Sequence, residues 1–154
     1  MTIRATRNRS DYRPFSFLET VPQAIENVLL GDTIAHVDWT FIQMPTFNHR
    51  WRAEKLPDED LQPLEAGIMR DPSAHGVMRG TGGLRKMRFA PRSRGKGKSG
   101  SMRVGYAQFP DYDLILLVTL FLKKYEDNLD AATCGGIKSV LSRIEKDLRS
   151  GVQP

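Results

Sequence analysis

Leu84-Arg85-Lys86-Met87-Arg88-Phe89-Ala90 alternates in the period-two manner of a β-strand. Arg85, Met87 and Phe89 then face one way, and Leu84, Lys86 and Arg88 the other. Immediately upstream, Gly80-Thr81-Gly82-Gly83 punctuates the chain and opens onto this strand. That string lacks the spacing of a dinucleotide fingerprint, which opens onto a helix, so it reads as a tight turn. Downstream, Arg92 to Ser101 is built of Gly, Ser, Arg and Lys with nothing to bury, and reads as a mobile loop. Gly97-Lys98-Ser99 ends like a phosphate-binding loop, but the first glycine of that motif would fall at Arg92, so the motif fails.

Working outward, Met102 to Phe109 is a further strand, and Pro110 to Asp113 is the hairpin connection to Leu114–Leu122. This last run is apolar apart from Thr119, of strand length, and too short for a membrane helix. On the N-terminal side, Val37 to Met44 reads as a first strand ended by Pro45. Thr46 is a helix cap ahead of Phe47, Trp51 and Leu56, which gather on one helical face. Asp58 caps a second helix with Leu61, Leu64 and Ile68 on one stripe, handicapped by Pro63 and Gly67. Ile137, Val140, Leu141, Ile144 and Leu148 follow the pattern of an amphipathic closing helix whose start Gly135 and Gly136 weaken.

The sum predicts an α+β domain over residues 37–150: a small antiparallel sheet with two N-terminal helices and a C-terminal helix, all packed on one face. Residues 1–36 show no sustained periodicity and read as an extension outside the core, either disordered or the product of an upstream start taken in error.

Of 154 residues, 40% are hydrophobic and 27% charged, enough apolar side chain for a core, which excludes wholesale disorder. A single cysteine, Cys134, permits no internal disulfide and points to the cytoplasm. Net charge is +5, and its distribution says more than its sum. From Arg79 to Arg103 there are nine basic residues and no acids, while the other 14 Lys and Arg face 18 Asp and Glu. One segment therefore holds the whole excess, and its counter-charge is a phosphate backbone or an acidic protein.

Neighbouring antiparallel strands bring side chains of one face within about 5 Å of each other. Lys86 and Arg88 then stand beside Arg103, with Lys123 and Lys124 at the end of the following strand. Such a cationic cleft suits RNA cleavage in which the ribose 2′-hydroxyl attacks the adjacent phosphate and fixed cations meet the developing charge. Arginines hold the phosphate, and a lysine crowded by cations serves as base because like charge disfavours its ammonium form. Tyr106 and Tyr125 offer π-faces for stacking an unpaired base, although a core position accounts for Tyr106 equally. Arg85, Arg92, Arg94, Lys96 and Lys98 supply general phosphate attraction. The competing reading of these basic residues is a solvated face or the surface for an acidic partner. His36, His49 and His75 have no metal-ligand spacing with Cys134 or one another, so neither metal nor cofactor is expected; only His75, just ahead of the basic strand, invites attention.

Taken together, Gly80 to Phe89, the basic Gly/Ser loop, Arg103-Val104-Gly105-Tyr106 and the Leu114–Lys124 run resemble the HigB-like branch of the RelE/HigB toxins, over about Val37 to Arg149. That resemblance implies a ribosome-dependent endoribonuclease acting on mRNA in the ribosomal A site, neutralised by a helix-turn-helix antitoxin. It implies an active site of Lys86, Arg88, Arg103, Lys124 and Tyr125. Where relatives continue Lys-Asn-Glu, this chain has Lys123-Lys124-Tyr125, and the long N-terminal extension is foreign to such toxins. Two other readings stand beside it: a ParE-like toxin that inhibits gyrase by contact alone, and a non-catalytic RNA-binding module. The nuclease reading requires Lys86, Arg88 and Arg103 to share one surface.

Overall fold

The computed structural model describes residues 4–6, 38–95, 101–122 and 129–151. The chain runs through β1 (Arg4–Thr6), β2 (Thr40–Gln43), α1 (Pro45–Ala53), a 3-10 turn (Asp58–Asp60) and α2 (Leu61–Arg70). It continues with β3 (Arg85–Phe89), a 3-10 turn (Arg92–Arg94), β4 (Met102–Phe109), another such turn (Pro110–Tyr112), β5 (Leu114–Leu122) and α3 (Ala131–Arg149). The class is α+β, with one five-stranded sheet in the order β1-β2-β5-β4-β3. Among the described residues no helix is long and apolar enough to cross a membrane.

β3, β4 and β5 form the expected antiparallel meander, but β2 lies parallel to β5, with Thr40 opposite Leu114. The sheet is therefore mixed, which corrects the all-antiparallel expectation. Parity explains it: the helix pair carries the chain to the far edge, β3 sets out in the direction of β2, and after two reversals β5 has that direction again. Part of the N-terminal extension joins the sheet as well, since Arg4, Ala5 and Thr6 pair antiparallel with Gln43, Ile42 and Phe41. Residues 7–37 lie outside the described residues.

The helices do not share one face. Phe47 and Trp51 of α1 and Leu64 and Ile68 of α2 pack on Phe41, Phe89, Met102, Val104, Tyr106, Ile115, Leu117 and Leu120. Leu141, Ile144 and Leu148 of α3 pack on the other face, against Ile42, Leu84, Ala107, Leu114, Leu116 and Val118. The composition of β5 dictates this. A run that is apolar at nearly every position has no polar face for solvent and must be covered on both sides.

Two handicaps foreseen in the helices are absorbed locally. Pro63 sits in the first turn of α2, where its missing N–H would have had no helical partner. Gly67 lets α2 approach the sheet, because a Cβ there would lie 2.9 Å from Met87 Cε. In α3 the glycine pair is not at the start: Asp130 caps the helix about one and a half turns earlier, its Oδ1 accepting from Thr133 N at 2.7 Å. That hydrogen bond holds the Asp130 carboxyl below the ordinary range.

Candidate functional site

The antiparallel register of β3 with β4 places Arg88 directly opposite Arg103, and Lys86 opposite Gly105. Continuing into β5, Arg103 stands opposite Phe121 and Gly105 opposite Thr119. Directly opposite residues share a face of the sheet. Lys86, Arg88 and Arg103 therefore lie on one surface, the face that carries α3. They form two adjacent rows, Lys86–Gly105–Thr119 and Arg88–Arg103–Phe121. The helix packs on Leu84, Ala107, Leu114 and Leu116, toward the β4–β5 hairpin, and Phe121 belongs to neither hydrophobic cluster. The Lys86–Gly105–Thr119 row borders Leu84 and Val118 of the α3 cluster, and the Arg88–Arg103–Phe121 row lies one step further along the sheet.

Local sequence builds this arrangement in a simple way. Period-two alternation puts Lys86 and Arg88 on the same side of β3, about 6.6 Å apart along the strand. The β3–β4 register then sets Arg103 across from Arg88, at about 5 Å between Cβ atoms. Like charges directly opposite lower the stability of a sheet, so a pair of arginines at one register position carries a cost that neighbouring acceptors must offset. Arg88 is exposed, and Lys86 and Arg103 are half-buried. Gly105 leaves no side chain across from Lys86, and its place is filled from the sides: a Cβ there would lie 2.9 Å from Thr119 Cγ2 and 3.1 Å from Leu84 Cδ2.

Several expected contributors are elsewhere. Arg85, one residue from Lys86, points to the opposite face, where its Nη1 donates to the carbonyls of Ser73 at 3.0 Å and His75 at 2.6 Å. Its role is to pin the 71–78 loop, and it is not among the cations of the cluster. Tyr106 is fully buried, its hydroxyl donating to the Pro72 carbonyl at 2.6 Å, so it offers no face for a base to stack on. Burial pushes its pKa from 10.0 up to about 12, with Arg85 pulling weakly the other way. His75 meets the Tyr106 ring edge-on at 6.0 Å on that same face, away from the cations.

The basic loop is anchored where it leaves β3. Arg94 donates to the Glu54 carboxylate at 2.6 Å and to its carbonyl at 2.8 Å, and Ser93 donates to the buried Asp60 carboxylate. These contacts tie the 92–94 turn to the helix pair, correcting the reading of a loop mobile from its first residue, and give Arg94 the Glu54 carboxylate as its partner. Arg92 is exposed, and its side chain makes no hydrogen bond or ion pair among the described residues. Lys96, Lys98, Lys123, Lys124 and Tyr125 lie outside the described residues.

The Gly80–Gly83 segment is a tight turn, as its composition predicts. Thr81 Oγ1 donates to the Met78 carbonyl at 2.6 Å and accepts from Leu84 N at 3.1 Å, with Gly82 in the left-handed region at φ 72°. Lys138 of α3 lies over this turn, and a Cβ on Gly82 would come within 2.9 Å of its Cγ. Gly105 is what the sequence reading missed, because only the pairing register shows that it faces Lys86.

No family model matches the chain.

Proposed function

We propose that this chain is a RelE/HigB-like toxin: an endoribonuclease that cuts mRNA on the ribosome and is neutralised by a cognate antitoxin. The observation that carries the reading is the convergence of Lys86, Arg88 and Arg103 on one patch of one sheet face, with Arg88 and Arg103 at the same register position. The resemblance of Gly80–Lys124 to that family, and the α+β framework with its C-terminal helix, support it from the sequence side.

The chemistry follows from the side chains available. The ribose 2′-oxygen forms a bond to the adjacent phosphorus, the bond to the 5′-oxygen breaks, and the products are a 2′,3′-cyclic phosphate and a 5′-hydroxyl. Negative charge grows on the non-bridging oxygens as this proceeds, and fixed cations that already surround it need not reorganise. Arg88 and Arg103 are suited to that role because guanidinium stays charged and can grip two oxygens at once. Lys86 is the member of the three able to exchange a proton, and the proton taken from the 2′-hydroxyl is passed on to the departing 5′-oxygen, which leaves as the 5′-hydroxyl.

The test compares Lys86→Ala and Arg103→Ala with the parent for cleavage of ribosome-bound message, growth arrest and binding to the antitoxin. Each is expected to lower cleavage by about 100-fold or more, the size typical of removing one group that stabilises transition-state charge, with antitoxin binding retained. Growth arrest that persists in both variants would overturn the nuclease reading and favour a toxin acting by docking alone.

A further inference from the structure

β5 carries a register shift. Gly105 is opposite Thr119, but the next residue of β4, Tyr106, is opposite Leu117, so Val118 is an extra residue in β5. The consequence is visible in the packing. Leu114, Leu116 and Val118 belong to the α3 face, and Leu117 and Leu120 to the α1/α2 face. Simple alternation after Val118 would send Thr119 to the α1/α2 face, among apolar side chains. The bulge instead puts Val118 and Thr119 successively on the α3 face, and Thr119 lands in the row of Lys86. A bulge that bends a strand and re-aims one side chain is a feature with a local energetic cost and a local purpose.

The side chain so redirected is the only polar one in Leu114–Leu122. Thr119 is 7% exposed, and its hydroxyl makes no hydrogen bond among the described residues. The Thr119 Oγ1 is not one of the fully buried unpartnered atoms among the described residues, so it keeps an opening to the outside while the rest of the side chain is packed, and a ligand can reach it. Its methyl group is accounted for, lying where it would be 2.9 Å from a Cβ on Gly105. Its oxygen is not.

We infer that Thr119 is a fourth member of the phosphate site, its hydroxyl donating a hydrogen bond to a non-bridging oxygen of the phosphate gripped by Lys86, Arg88 and Arg103. The inference rests on the nuclease reading above and adds a neutral donor to it. The guanidiniums of Arg88 and Arg103 can grip the phosphate from β3 and β4, and a donor on β5 adds a third direction of constraint. A hydroxyl on a short, β-branched side chain, fixed in a sheet, orients the phosphate relative to Lys86.

The test uses the full chain as Thr119→Val and Thr119→Ser, with Arg88→Ala alongside. Each is titrated with a 2′-O-methyl single-stranded oligoribonucleotide, which binds without being cut, and assayed for single-turnover cleavage of ribosome-bound message. Thr119→Val should weaken binding or slow cleavage by about 10-fold, the loss of one hydrogen bond to a charged group, while its melting temperature stays level or rises. Thr119→Ser should remain within about 3-fold of the parent, since the donor is restored. If Thr119→Val binds and cuts as the parent does while Arg88→Ala fails, the hydroxyl has no role and the nuclease reading stands. If serine loses as much as valine, the threonine acts through packing and the inference falls. If Arg88→Ala also matches the parent in both assays, the phosphate site itself is wrong.

Discussion

Arg85 and Arg88 sit three residues apart on β3 and do opposite things. On the α1/α2 face, Arg85 finds two loop carbonyls within 3.0 Å and becomes a clamp for the segment that leads into its own strand. On the α3 face, exposed Arg88 finds another arginine directly across from it. The residue type is the same, and the surroundings decide. Where a cation meets fixed carbonyls it holds the fold; where it lies across from another cation the pair adds repulsion to the sheet and concentrates positive charge.

This contrast can be attacked from several sides, beginning with the change expected to hurt most. Gly105→Ala pushes a Cβ to within 2.9 Å of Thr119 Cγ2, in the floor of the cationic patch. Overpacking of this kind costs about 1–3 kcal/mol, and here it should also depress cleavage, because the displaced atoms border the site. Denaturant unfolding and cleavage rate, measured on the same preparation, check both halves; a variant with parental values for each would mean that the row has room to spare.

Arg85→Ala should lower stability by about 1.5–3 kcal/mol, the range for hydrogen bonds made by a charged group. Cleavage per folded molecule should be unchanged, unlike the loss expected at Arg88. Equal loss of activity at both positions would erase the distinction between the two faces.

Tyr106→Phe is the mildest change, removing one hydrogen bond to the Pro72 carbonyl at a cost of about 1 kcal/mol. It also has a pH signature. The hydroxyl pKa is raised from 10.0 to about 12 in the folded chain, so folding favours the protonated phenol. That contribution is fully present below pH 10.0 and is lost as the pH rises toward 12. Alkaline unfolding of the parent should therefore steepen across that window more than that of the phenylalanine variant.

Much of this was legible in the sequence, and the rest was hidden for definite reasons. The alternation of Leu84–Phe89 assigned Lys86 and Arg88 to one side and Arg85 to the other without any tertiary information, and the pairing of successive strands brought Arg103 into line. What the residues could not announce were contacts with distant partners. Tyr106 reads as a stacking platform until Pro72 is found at its hydroxyl, and Arg94 reads as a free cation until Glu54 is found 40 positions away. The parallel placement of β2 depends on a parity that local patterns do not carry. The bulge at Val118 left no trace either, since in a run as uniformly apolar as Leu114–Leu122 neither face stands out, and a shift of one residue changes nothing that periodicity can register.

The mixed sheet also separates early from late assembly. The β4–β5 hairpin joins Phe109 to Leu114 across a tight turn, whereas the β2–β5 ladder joins Thr40 to Leu114 over most of the domain. Closing the longer loop carries the larger entropic cost, so the ladder is the slower partner in refolding. Both cationic rows lie wholly within the meander. The surface that would grip a phosphate therefore takes shape from neighbours in the chain, ahead of the strand that completes the sheet.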